Sequence, residues 1–444
     1  MPKRFINYYR KLLTSKKYPL LIIPVLVGTI LVGAAFIVVQ DYSNGSRNDQ
    51  ARSATDVAIE NAQKKLDSNP DAAVLYADLC QSYLEKVKEN ADTSYYGRCD
   101  DLFLKANRLD LNSAEVSAAQ AAVAYGRHSF ERGLEFALRA RELNPDKVSY
   151  YGLVGDGQLE LGQYDAAVQS FQTMIDKKPE LGSYNRVAYV RELYGDIDGA
   201  RAALESAIAA SSSNPVDVAY TQVELGKLHL RRDLGKAEAS FEQALRIVPD
   251  YPPALEGMGK VAFARQDYDK AQQYFQKAFD ELPLSQYASA LGDTYSAKGD
   301  IKKADAQYFL AQLAFDKSNT SGVNNDYELA LFLTNRAKEP ERALRLAQAS
   351  VETRPNSFSY DVLAWAQFHL GDYAAAKKNS QQALQLGKHP FFLYHAAMIA
   401  EKLGQKESAK IYLEKAFTVD HYLLETHFSL LDRNKAHTAL ERLK

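Results

Sequence analysis

Prolines fall at Pro145, Pro179, Pro215, Pro249, Pro283 and Pro355, at intervals of 34, 36, 34, 34 and 72 residues, the last being two steps of 36. A helix breaker that returns on so regular a count divides the chain into modules of one size, each with room for two helices and a tight turn. The residues between the breaks are rich in Ala, Leu, Gln, Glu and Lys, which favour helix. No long alternating run of Val, Ile or Thr is present, so a large sheet is not expected. A two-helix module cannot bury its own apolar face, so such modules must stack into an array. Hydrophobic residues make up 46% of the chain, enough apolar surface to order that array.

The same chemistry recurs within each module. In 148–181, Tyr151, Gly155, Gly162, Tyr164, Ala167, Phe171 and Pro179 stand at positions 4, 8, 15, 17, 20, 24 and 32. In 252–285 the equivalents are Leu255, Gly259, Tyr268, Ala271, Phe275, Ala278 and Pro283; in 357–390 they are Tyr360, Ala364, Gly371, Tyr373, Ala376 and Ala383. Small residues at positions 8, 20 and 27 allow two helices to approach closely, and a large residue at position 24 fills the groove beside them. Gly at position 15 (Gly162, Gly195, Gly299, Gly371, Gly404) ends the first helix, and Pro at position 32 sits in the break after the second. This pattern closely resembles the tetratricopeptide repeat. The resemblance implies an all-α, right-handed α-solenoid of about ten helical hairpins over residues 71–423. Residues 40–70 are expected to form a tether and an N-terminal capping helix, and 424–444 a C-terminal capping helix. The polar run Ser318–Gly322 is expected to loosen one connection.

Residues 20–39 (LLIIPVLVGTILVGAAFIVV) carry no charge. Twenty residues at about 1.5 Å each match the roughly 30 Å hydrocarbon core of a bilayer, which predicts a single transmembrane helix. Residues 1–19 contain Lys3, Arg4, Arg10, Lys11, Lys16 and Lys17 and no acid. The excess of positive charge before the span predicts a cytoplasmic N-terminus and an extracytoplasmic body. A cleaved signal peptide with Val32-Gly33-Ala34 as its small-residue site is the competing reading, and apolar character continuing to Val39 favours the uncleaved anchor. Without the six leading cations the chain has 48 basic against 56 acidic residues, a net charge of −8, which argues against nucleic acid as a partner.

No HExxH, GxSxG or GxxxxGK[ST] motif occurs, and no histidines stand at the i, i+4 spacing of a helical metal site. The expectation is therefore a protein without catalysis, metal or cofactor. Cys80 and Cys99 fall in the two helices of the first hairpin. A turn centred near residue 91 places Cys99 opposite Leu84, one turn from Cys80. A disulfide then requires the register to slip, and two buried thiols are the alternative.

In the family, the first helix of each repeat lines the concave surface, through positions 2, 5, 9, 12 and 13. Carried onto this chain, the last three repeats present Phe332, then Phe358, Trp365 and Phe368, then Phe391, Tyr394 and Met398. Earlier repeats present a mixed polar strip of Asp156, Glu160, Tyr189, Glu192, Lys227, Arg231 and Lys260. Aromatic anchors on a concave wall suit a peptide or helix, and packing between repeats is the competing use of the same side chains. Position 9 holds no Asn, so the carboxylate clamp of chaperone-tail binders is not implied. The resulting expectation is a membrane-anchored scaffold that binds a protein or peptide partner, with an assembly factor for a polysaccharide-export or pilus-type envelope complex as the alternative.

Overall fold

The computed structural model describes residues 53–337, 339–422, 425–426, 429–430 and 433–443. The basic N-terminus, the apolar span and the tether, residues 1–52, lie outside them. Among the described residues no helix is long and apolar enough to cross a membrane. By its contacts the chain divides into two bodies, residues 1–60 and 61–444. Of the first, only the opening of helix Ala54–Ser68 is described. Its start is fixed reciprocally: the Asp56 amide donates to the Ser53 hydroxyl (3.1 Å) and the Ser53 amide to the Asp56 carboxylate (3.2 Å).

The second body contains ten helical hairpins among its described residues. Hairpin 1 pairs Ala73–Asn90 with Tyr95–Leu109, and hairpin 2 pairs Ala114–Gly126 with Phe130–Leu143. Hairpin 3 is Val148–Glu160 with Tyr164–Lys177, hairpin 4 Leu181–Leu193 with Ile197–Ala210, and hairpin 5 Pro215–Leu230 with Leu234–Ile247. Hairpin 6 is Pro252–Ala264 with Tyr268–Glu281, and hairpin 7 is Ser285–Ala297 with Ile301–Thr320. In hairpin 8, Asp326–Phe332 continues as the π-helical turn Leu333–Ala337 and packs on Pro340–Thr353. Hairpins 9 and 10 are Ser357–His369 with Tyr373–Leu386 and Pro390–Lys402 with Lys406–Val419.

The repeat positions act as their chemistry requires. Ala167, Ala200, Ala271, Ala376 and Ala409, all at position 20, are fully buried. A Cβ on Gly155 would stand 2.3 Å from the Phe171 ring, and one on Gly292 2.3 Å from Tyr308, so the small residue at position 8 makes the space that the ring at position 24 occupies. The five glycines at position 15 have φ between 71 and 83°, and His128 (57°) and Gln266 (63°) take the same turn where Gly is missing. Pro215 departs from the pattern by opening the first helix of hairpin 5, where its missing amide hydrogen is no loss.

Two expectations are corrected, and one left open is decided. The run Ser318–Gly322 is not a loose connection throughout: the helix continues to Thr320, whose hydroxyl donates to the Lys317 carbonyl (2.7 Å). The C-terminal segment is not helical from residue 424: Glu425–Thr426 pairs antiparallel with Ser429–Leu430, and the helix is Arg433–Arg442. That helix packs Ala436 and Ala439 onto hairpin 10, and Arg442 pairs with Glu401 (3.1 Å). In hairpin 1 the loop is residues 91–94, and the two helices pack with their register slipped from the one that loop centring predicts. Cys80 then faces Cys99 at 5.1 Å between Cα atoms, and the two form a disulfide. Closing this loop stabilises the hairpin by about 3 kcal/mol on the chain-entropy model.

Successive turns of the solenoid touch. The loop inside hairpin n meets the break that precedes hairpin n+6. Between hairpins 2 and 8, the Asn324 amide donates to the Arg127 carbonyl (3.0 Å) and His128 Nδ1 to the Asn324 carbonyl (2.7 Å). Between 3 and 9, Arg354 Nε donates to Glu160 (2.6 Å), Asn356 Nδ2 to the Glu160 carbonyl (3.1 Å), and the Ser357 amide to Tyr164 (3.0 Å). Between 4 and 10, the Lys388 amide donates to the Leu193 carbonyl (2.9 Å); after hairpin 10, the His421 amide donates to the Arg231 carbonyl in hairpin 5 (2.8 Å). Gly162 sits at the tightest point, where a Cβ would stand 2.3 Å from the Pro355 carbonyl oxygen. This seam holds one turn of the second body against the next.

Candidate functional site

The aromatic strip of hairpins 8–10 is packed. Phe332 is 0% exposed, Phe391 and Tyr394 6%, and Phe358, Trp365 and Met398 8%, while Phe368 is half-buried. Trp365 stacks on His395 (centroids 4.0 Å) and Phe368 (4.7 Å), and its indole Nε1 donates to Asn335 Oδ1 (2.9 Å). Phe358 meets Phe392 edge-on (5.2 Å), and Phe332 lies against Phe315 (5.7 Å). Leu159, Tyr164 and Leu193 from the preceding turn join the same core. The cause is legible in the first helix of hairpin 10, PFFLYHAAMIAEK, which is apolar all round; every residue from Pro390 to Ala400 is buried. One polar pair is enclosed with them: His395 Nδ1 lies 2.8 Å from Asp361 Oδ2, joining hairpins 9 and 10.

The polar strip of the earlier hairpins is open. A cavity of about 870 Å³ lies between the first helices of hairpins 2–5. Its wall includes Asp156, Glu160, Glu180, Asn185, Arg186, Tyr189, Asp217 and Tyr220. Three of the expected strip residues, Asp156, Glu160 and Tyr189, are among these, whereas Glu192, Lys227, Arg231 and Lys260 are not. Those four are held in pairs beyond the wall: Arg231 with Glu192, Lys227 with Glu224 (2.9 Å) and Lys260 with Glu256 (2.8 Å). On the wall, Arg186 grips Asp156 through two bonds (2.9 and 2.7 Å), and Asn185 donates to Thr221 (2.9 Å).

Two rings distinguish this wall. Tyr189 is 40% exposed and Tyr220 47%, large apolar faces left toward the cavity. Their concave surroundings and nearby carboxylates keep both phenols protonated. For Tyr189 desolvation is the main cause and Glu160 adds to it; for Tyr220 the Glu224 charge leads, with desolvation second. Neither Tyr220 nor Asn185 was singled out in the sequence, although both stand at concave positions, 2 and 5 of their repeats. Among the described residues no group of three or more His, Cys, Asp or Glu is placed to hold a metal ion. The chemistry the wall offers is recognition: fixed charges, amides and aromatic faces.

Tetratricopeptide-repeat family models match residues 228–293 and 392–420, covering hairpin 6 and most of hairpin 10. The chain belongs to the tetratricopeptide-repeat superfamily. The TPR repeat-containing protein YpiA of Bacillus subtilis is 26% identical over 286 residues, 61% of this chain and 64% of YpiA. The protein CTR9 homolog of Arabidopsis thaliana is 26% identical over 294 residues, 60% of this chain and 25% of that one. This TPR chain therefore spans less than two thirds of either relative. Among solved structures, the human IFIT1 dimer with m7Gppp-AAAA aligns over 75% of this chain and 76% of its own, at 18% identity and a TM-score of 0.46. As a TPR array, the protein is of a kind suited to protein interaction.

Proposed function

We propose that this TPR protein is a non-catalytic scaffold, tethered to a membrane through residues 20–39, that holds a protein partner in the cavity of hairpins 2–5. The observation that carries the reading is the pair of exposed rings, Tyr189 and Tyr220, on one concave wall. Exposed tyrosines in a concavity bury large area on binding with little loss of rotamer freedom. The outward orientation of the body rests on the cations that precede the span and on the Cys80–Cys99 bond, since disulfides persist in oxidising compartments. The aromatic strip of hairpins 8–10 acts in this reading as the packing that holds one turn on the next.

One experiment tests both parts. A membrane-impermeant crosslinker added to intact cells should trap the partner on the full chain, and the double substitution Tyr189→Ala/Tyr220→Ala should lose the adduct without loss of helicity. Undiminished capture by the double variant removes the cavity as the site. Capture that needs a permeant reagent removes the outward orientation. A partner that brings a membrane complex with it selects the envelope-assembly alternative.

A further inference from the structure

The cavity of hairpins 2–5 is unbalanced in charge. Its wall carries four carboxylates, Asp156, Glu160, Glu180 and Asp217, against one guanidinium, Arg186. Cations outside the wall reduce the imbalance without removing it. Lys178 pairs with Glu180 (2.6 Å), and Arg354 reaches Glu160 across the seam (2.6 Å). Arg354 is shared, however, because it also lies 3.5 Å from Glu328. The four wall carboxylates thus meet three permanent cations, one of them shared with Glu328 outside the wall, and the balance stays negative.

One acid on the wall and one outside it are left with capacity to spare. Asp217 is in no ion pair among the described residues; its nearest donor is the Ser212 hydroxyl at 3.5 Å. Glu328 Oε2 is buried without a hydrogen bond, 3.9 Å from His128 Nδ1. Beside these stand the faces of Tyr189 and Tyr220, which attract a cation through the ring quadrupole. An acidic guest would meet like charge on this wall, and a neutral one would leave Asp217 uncompensated.

From this we infer that the cavity takes a basic, extended peptide segment of the partner, with Lys or Arg side chains set against Asp217 and over the Tyr189 and Tyr220 rings. The wall crosses the first helices of four successive hairpins, and helices pack about 9 Å apart. The path is therefore roughly 27 Å, about eight residues of extended chain at ~3.3 Å each. That length favours a peptide over a small polycation. The inference rests on the cavity being the partner site and adds the partner's charge to it.

The test uses the full chain in detergent and three fluorescein-labelled decapeptides, alternating Lys-Ala, Ser-Ala and Glu-Ala, with binding read by anisotropy. The Lys-Ala peptide should bind about tenfold tighter than either other. Asp217→Asn and Tyr220→Ala should each weaken it about fivefold, Tyr220→Phe should keep it, and salt should weaken it. The outer-face control Asp198→Asn, 74% exposed on the second helix of hairpin 4, should leave it unchanged. Equal binding of the three peptides overturns the inference. So does an equal loss in Asp198→Asn and Asp217→Asn, which would reduce the effect to general attraction by an acidic body. Partner capture that depends on Tyr189 and Tyr220 while the peptides show no preference removes this inference and leaves the scaffold reading in place. Capture independent of both tyrosines removes the reading itself.

Discussion

Hairpins 4 and 10 present the same repeat position to the inside of the solenoid and use it in opposite ways. In the first helix of hairpin 4, Leu181–Leu193, four residues are buried and Tyr189 faces a cavity. In the first helix of hairpin 10, Pro390–Lys402, eleven are buried and Tyr394 and Met398 are enclosed. The scaffold is common to both, so the difference lies in the side chains on the second face of the helix. Where that face stays polar, as with Asn185, Arg186 and Tyr189, nothing covers it. Where it is apolar, neighbouring hairpins and the adjacent turn close over it. An aromatic residue at a concave position of this chain thus stays open where the residues around it are polar and is enclosed where they are apolar.

The largest expected effect separates these two regions by stability. Trp365→Ala removes a ring stacked on both sides, a truncation that costs about 3–5 kcal/mol in a packed core. Tyr189→Ala should cost less than about 1 kcal/mol, because the ring is already exposed on one side. Repeat arrays open locally, so the measurement is hydrogen exchange hairpin by hairpin. Trp365→Ala should lose protection in hairpins 8–10, and Tyr189→Ala should leave hairpin 4 protected. Equal losses would mean that the polar strip is as closely packed as the aromatic one.

A smaller effect tests the seam that joins the two regions. Gly162 and Gly371 both end a first helix in the left-handed conformation, with φ of 71 and 83°. Gly371→Ala incurs only the backbone strain, about 1–2 kcal/mol, since nothing lies within 4 Å of the new Cβ. Gly162→Ala incurs the same strain and also drives a methyl into the Pro355 carbonyl, 2.3 Å away. Small-angle scattering should therefore show a larger radius of gyration for Gly162→Ala and an unchanged one for Gly371→Ala. Expansion in neither variant would mean that the turns do not depend on this contact.

The hairpins were legible because each is specified locally. The spacing of Pro145, Pro179, Pro249 and Pro283, the glycines at position 15 and the alanines at position 20 describe one module, and ten modules follow. The seam was not legible, because the pitch of a superhelix accumulates from small rotations between neighbours that no single repeat encodes. Arg127, Asn324 and Lys388 read as ordinary loop residues until six hairpins are summed. The disulfide stayed open in the sequence because a loop centre does not fix the register of two packed helices: the loop is residues 91–94, yet Cys80 faces Cys99. The aromatic strip was readable in part: PFFLYHAAMIA has no polar face, and a helix of that kind is enclosed on every side.

The smallest expected effect is acid sensitivity confined to the aromatic region. His369 ends the first helix of hairpin 9 against the Trp365 ring (4.7 Å) and Phe368 (5.5 Å). Desolvation, with a lesser contribution from His395, pushes its imidazole down to about 4, below the ordinary value of 6.5. The unfolded chain binds that proton more readily, so the stability this histidine supplies is present above pH 6.5 and is lost as pH falls toward 4. Two factors keep the loss below about 1 kcal/mol: solvent screens a ring that is more than one-third exposed, and a helix C-terminus favours a cation. His369→Gln should therefore flatten the decline in hairpin 9 protection between pH 6.5 and 4.5 while leaving hairpin 4, with no histidine in its helices, on the wild-type profile. An identical decline in the variant would remove His369 as the source of the acid response, and the contrast between open and packed regions would then rest on packing alone.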